Sequence, residues 1–177
     1  MSLTERELWT ALHGMIFGAI FLLAFSGGLA GLYSLRPEWV TVSGIAERIR
    51  RLKVGLWAMA AVMWATVYTG TFIVYPWYRA TPPEGTTDLS LYPRSLLRSD
   101  PATAAWHTFG MEWKEHIGWV APILATAVAF LVSYYGAGLA KDDRLRRATT
   151  VLFILAFATA AVAGVFGAFL NKVGPIR

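Results

Sequence analysis

The stretch LWTALHGMIFGAIFLLAFSGGLAGLYSL, residues 8–35, runs without an Asp, Glu, Lys or Arg. A helix needs roughly 20 apolar residues to cross a hydrocarbon core of about 30 Å, so this stretch alone is long enough to span a bilayer. Residues 54–78, 117–140 and 148–171 repeat the pattern. The whole chain is 56% hydrophobic and 15% charged, against roughly 25% charged residues in an average soluble domain. It has too little polar surface for an ordinary water-soluble globule.

The reading is an all-α membrane protein, a single membrane domain over residues 1–177 built as a four-transmembrane-helix up-down bundle. The helices are expected at about 8–35, 52–78, 112–140 and 146–171, with an outer loop at about 79–111. The leader MSLTEREL is slightly acidic and the apolar run after it is too long for a secretory signal, so the first helix is read as permanent.

The net charge is +5 and the pI near 9.7, but the basic residues gather beside apolar segments. That placement fits lipid headgroups and topology, and nucleic acid is not expected as a partner. Arg36, Arg48, Arg50, Arg51 and Lys53 separate the first two helices, and Lys141, Arg144, Arg146 and Arg147 the last two. By the positive-inside rule both connections face the cytoplasm, leaving both termini and the long connection outside. A bacterial inner membrane, with the periplasm on the outer side, is the expected setting. The long connection opens with an aromatic belt, Tyr75, Trp77 and Tyr78, and turn-forming Pro82, Pro83 and Gly85. Leu96 and Leu97 between Arg94 and Arg98 suit a short amphipathic turn on the bilayer surface.

A faint internal repeat relates the hairpins. His13 with GGLAGL in the first helix parallels His116 with GAGLA in the third, and TGTF at 69–72 parallels AGVF at 163–166. An axis along the membrane normal would relate the two halves and set His13 and His116 at similar depth near the outer surface.

Cysteine is absent, which removes disulfides, iron–sulfur clusters, thiolate zinc sites and covalent c-type haem attachment. No phosphate loop, nucleotide motif or nucleophile arrangement is visible. The chemistry therefore rests on three histidines. An ionisable group within a transmembrane helix is costly unless it is paired or used. His13 and His116, on facing helices, suit the two axial positions of haem b, with Gly14, Gly18, Gly70, Gly118, Ala121, Gly164 and Gly167 letting backbones approach a flat macrocycle. Ordinary small-residue helix packing is the competing explanation of those glycines.

Glu112 is four residues before His116 and suited either to hold its second ring nitrogen or to stand exposed in an acidic first turn of the helix. Lys114 and Arg79 are candidates to pair haem propionates, or phospholipid. His107 is half a revolution from His116 on a continuous helix. It could replace His116, bond a propionate, or meet a quinone headgroup, but a solvent-facing state is its default. Met111 could ligate iron or simply fill a core. Pro122 should bend the third helix.

The expected function is that of a b-type cytochrome-like electron-transfer subunit with one haem near the outer face. It would link the quinone pool with a periplasmic redox partner, as a redox subunit of a larger oxidoreductase. The alternatives are a cofactor-free structural or quinone-adjacent subunit, and a histidine-based metal-handling membrane protein.

Overall fold

The structure is a computed structural model that describes residues 3–39 and 41–176. Four helices are long and apolar enough to cross a membrane: α1 (Glu5–Tyr33), α2 (Gly44–Tyr78), α3 (Pro101–Tyr135) and α4 (Asp143–Val173). A short helix, Pro93–Ser99, lies in the connection before α3, and a single helical turn, Gly138–Lys141, links α3 to α4. Among the described residues there is no strand.

Each long helix starts at a side-chain cap that satisfies otherwise orphaned N–H groups. Thr4 and Glu7 form a reciprocal capping box at α1. Thr41 accepts from Gly44 N at 3.0 Å, Asp100 from Ala102 N at 2.8 Å, and Asp142 from Leu145 N at 3.0 Å. These caps move the starts earlier than the charge pattern implied. The third helix begins at Pro101, in place of an outer loop continuing to 111. Asp100 as cap and Pro101 in the first turn, followed by an alanine-rich segment, favour helix well before the apolar run. α3 ends at Gly136, whose φ of 48° is a left-handed conformation open to glycine at little cost.

α1 packs on α2 and α4, and α3 packs on the same two helices. Phe25 stacks on Phe157 with ring centroids 4.0 Å apart. Trp57 Nε1 donates to Ser133 Oγ, and Trp64 Nε1 to Thr126 Oγ1, each at 2.9 Å. The main core, which includes Phe21, Leu56, Val128 and Phe153, draws on all four long helices. A small second core of Tyr78, Leu97, Met111 and Leu170 closes one end. Large apolar side chains such as Met15, Leu23, Val54 and Tyr134 point outward, as a lipid-facing surface requires.

Three of the long helices lose regular α geometry in one half of the bundle. Leu12–Gly18, Gly70–Val74 and Trp106–Met111 are π-helical, and Ile117–Trp119 is a 3₁₀ turn. The departure from α geometry nearest Pro122 is that 3₁₀ turn, which ends three residues before the proline. The ring of Pro122 would crowd the carbonyl four residues back and supplies no N–H, so the preceding turn tightens. Pro122 itself is fully buried.

Candidate functional site

Between the large core and the small second one lies a cavity of about 510 Å³ that all four long helices line. Its size falls within the roughly 300–1,000 Å³ of ligand pockets. His13 comes from the π-helical turn of α1, and His116 from the last residue before the 3₁₀ turn of α3. Both imidazoles line this one cavity, as do Lys114, Gly14 and Gly18. Gly70, Gly118, Gly164 and Gly167 line it as well. Ala121 does not; it is fully buried in the main core.

His13 Nδ1 bonds the Thr66 carbonyl at 2.8 Å, and His116 Nδ1 bonds the Glu112 carbonyl at the same distance. A carbonyl only accepts, so each Nδ1 carries a proton, and the neutral ring keeps its lone pair on Nε2. That is the tautomer a metal-ligating histidine needs, fixed by the partner of its other nitrogen. The Glu112 carboxylate, expected to do this, is 3.8 Å from the ring, beyond hydrogen-bond range. The main chain of Glu112 does it instead, because a histidine four residues on reaches the nearest carbonyl below it.

The glycines have distinct jobs. A Cβ at Gly70 would fall 2.5 Å from His13 Cε1, so this position must be bare for the ring to sit there. A Cβ at Gly167 would fall 2.6 Å from Lys114 Nζ, so Gly167 makes room for an ammonium beside the cavity. Gly14 and Gly118 have no neighbour within 4 Å of such an atom, and open onto free space. Lys114 is half-buried, and no hydrogen bond or ion pair to its ammonium is present among the described residues.

The remaining predicted residues stand apart from the cavity wall. His107 is not solvent-facing: it is 8% exposed, and its Nδ1 is 2.9 Å from the Tyr78 hydroxyl. The early start of α3 turns it into the bundle. Arg79 is exposed and donates to the Tyr75 hydroxyl at 2.9 Å, a bond that pushes its guanidinium pKa above the ordinary value. Glu112 is exposed. Polar residues that the sequence did not single out for the site also line the cavity: Asn171, Thr66 and Thr71, with Tyr75 and Tyr78 of the aromatic belt. Met111 lines it and is buried.

Among the described residues no three of His, Asp and Glu gather in a set that could hold a metal ion by themselves. His13 and His116 both line the cavity, His116 with its side chain 71% exposed; a metal held by two histidines alone would need a group that brings further ligands of its own, as a macrocycle does. Comparison of the chain with protein-family models, with curated proteins and with solved structures finds no match.

Proposed function

We propose that the protein is a b-type cytochrome-like electron-transfer subunit that holds one haem b in the outer-half cavity, with His13 and His116 as axial ligands. The observation that carries this reading is the shared arrangement of the two imidazoles: one cavity, two different helices, and both Nδ1 atoms committed to main-chain carbonyls. Haem there supplies reversible one-electron transfer between ferric and ferrous iron. Thr66 and Glu112 carbonyls orient the ligating rings. Gly70 seats the His13 ring, Gly14 and Gly118 leave open wall for a macrocycle, and Lys114 offers its ammonium to an anionic edge group such as a propionate. Met111 lines the cavity and is a candidate methionine ligand.

The bundle is read as up-down, with both termini and the connection between α2 and α3 outside a bacterial inner membrane. The reversed pairing of Trp57 with Ser133 and Trp64 with Thr126 supports antiparallel neighbours, and the two basic connections support the orientation. A cavity near the outer face suits exchange between the quinone pool and a periplasmic redox partner, within a larger oxidoreductase.

The test is the visible spectrum of the detergent-purified protein, air-oxidised and dithionite-reduced, for the parent, His13→Ala and His116→Ala. Sharp reduced b-type bands lost in both variants are expected. A colourless parent, produced with ample haem and its native partners, would remove the cytochrome reading in favour of a quinone-adjacent subunit, whose headgroup Tyr75, Tyr78 and Asn171 could bond.

A further inference from the structure

A second cavity, about 500 Å³, lies between α1 and α2 at the end of the bundle away from the histidines. Gly27, Gly28 and Gly31 line it from α1, Gly55 and Met59 from α2, and Arg48, Arg51 and Ser34 also border it. The glycines are of two kinds. A Cβ at Gly28 would fall 2.6 Å from Phe153 Cζ, and one at Gly31 2.8 Å from Leu52 Cδ1; these are bare because the protein packs on them. Gly27 and Gly55 are exposed and have nothing within 4 Å. A glycine inside a helix costs about 1 kcal/mol relative to alanine, and neither position recovers that through contacts within the chain. The room they leave is open to a molecule from outside.

The groove has the length of one bilayer leaflet. At 1.5 Å per residue the path from Arg51 to Met59 rises about 12 Å and that from Ser34 back to Ala24 about 15 Å, close to half of a hydrocarbon core about 30 Å thick. Its arginine end is strongly basic. Arg48 donates to the Ser34 carbonyl at 3.4 Å, which holds its guanidinium at the groove. Glu47 binds both Arg50 and Arg51, so one carboxylate faces Arg48, Arg50, Arg51 and Lys53 between residues 47 and 53. A second copy of this chain would bring the same positive charge to the contact and be repelled. A phosphate would be attracted, and an acyl chain would fill the apolar trough below it.

We propose that this groove binds an anionic diacyl phospholipid of the leaflet at that end, with one acyl chain along Gly27 and Gly55 and the phosphate on Arg48 and Arg51. The proposal is independent of what the histidine cavity holds. Native mass spectrometry of the protein in neutral detergent, titrated with dioleoyl-phosphatidylglycerol or dioleoyl-phosphatidylcholine, tests it. One anionic lipid per chain should be retained with about tenfold preference over the zwitterionic one, given about 1 kcal/mol per basic residue offset in part by Glu47. Arg48→Gln with Arg51→Gln, both on exposed side chains, should bring the two lipids level. Gly55→Leu should weaken retention of both. Equal retention by the parent, a preference that survives the double arginine variant, or displacement of the lipid by inorganic phosphate would overturn the proposal. A dimer lost in Gly55→Leu without bound lipid would overturn it too, and give the groove to a second copy.

Discussion

A Cβ on Gly70 would stand 2.5 Å from Cε1, 3.0 Å from Nδ1 and 3.1 Å from Nε2 of His13, so the ring of one helix occupies the volume that any other residue of its neighbour would claim. Gly70 also opens the π-helical turn of α2, four residues after the carbonyl that His13 bonds. Gly70→Ala should therefore displace the ring and destabilise the protein by about 1–3 kcal/mol, the usual cost of overpacking, and lower haem retention with it. Gly18→Ala is the control. Its Cβ would meet the His13 carbonyl oxygen at 3.5 Å and Thr66 Cγ2 at 3.8 Å, ordinary contacts, and helix propensity favours alanine by up to about 1 kcal/mol. Unfolding of both variants in detergent separates the two effects. Equal stabilities would mean that the ring moves freely.

The Tyr78–His107 pair ties the end of α2 to α3 inside the small second core, with Tyr78 2% exposed. Tyr78→Phe removes one partner and leaves a buried imidazole nitrogen unsatisfied, a loss of about 1–3 kcal/mol. His107 does not line the histidine cavity, so His107→Ala should lower stability while keeping reduced b-type bands where the parent shows them. Bands lost in His107→Ala but kept in His116→Ala would exchange their roles.

At the opposite end, Arg146 is 8% exposed, donates to the carbonyls of Leu139 and Ala140 at 3.2 and 3.4 Å, and pairs with Asp143. It closes the chain reversal between α3 and α4 by satisfying carbonyls that the end of a helix leaves free. Arg146→Leu should cost about 2 kcal/mol, since hydrogen bonds from a charged donor are among the stronger ones. Arg147 pairs with the same carboxylate, but its side chain is 79% exposed. Arg147→Leu should change stability by no more than about 0.5 kcal/mol. Thermal unfolding of the two variants side by side checks the contrast.

The four long helices were legible because each carries an apolar run that no soluble element needs. Their starts were not, because Thr41 and Asp100 cap helices whose first turns are still polar, and charge alone cannot tell a polar turn of helix from a loop. That His13 and His116 belong to the same half of the bundle could be read by counting residues from the ends of the runs, and both line one cavity. The burial of His107 could not, since it depends on the helix continuing unbroken back to Pro101. Gly70 and Gly167 read in sequence as two of many small residues. Only the position of the His13 ring shows that Gly70 must stay bare, whereas at Gly167 the close neighbour is the mobile end of Lys114. The π-helical turns left no sequence signal, because they answer to what packs across the cavity and not to local propensity.

Lys114 puts an ammonium beside the histidine cavity with Gly167 cleared for it and no acceptor among the described residues. A partly buried cation in no ion pair destabilises the fold that holds it, and the same charge favours the less positive oxidation state of any redox group nearby. Lys114→Met should therefore act in two opposite ways. Without cofactor the variant should be more stable than the parent, by about 1–3 kcal/mol, as when apolar side chains replace buried charge. With haem bound, loss of the ammonium should lower the midpoint potential. At roughly 10 Å and an effective dielectric constant of about 20 the interaction is about 1.7 kcal/mol, on the order of 70 mV for one electron. A redox titration and a denaturation curve on the same preparations read both signs. A midpoint unchanged together with an unchanged stability would place the ammonium among lipid headgroups, outside the cavity, and remove Lys114 from the site.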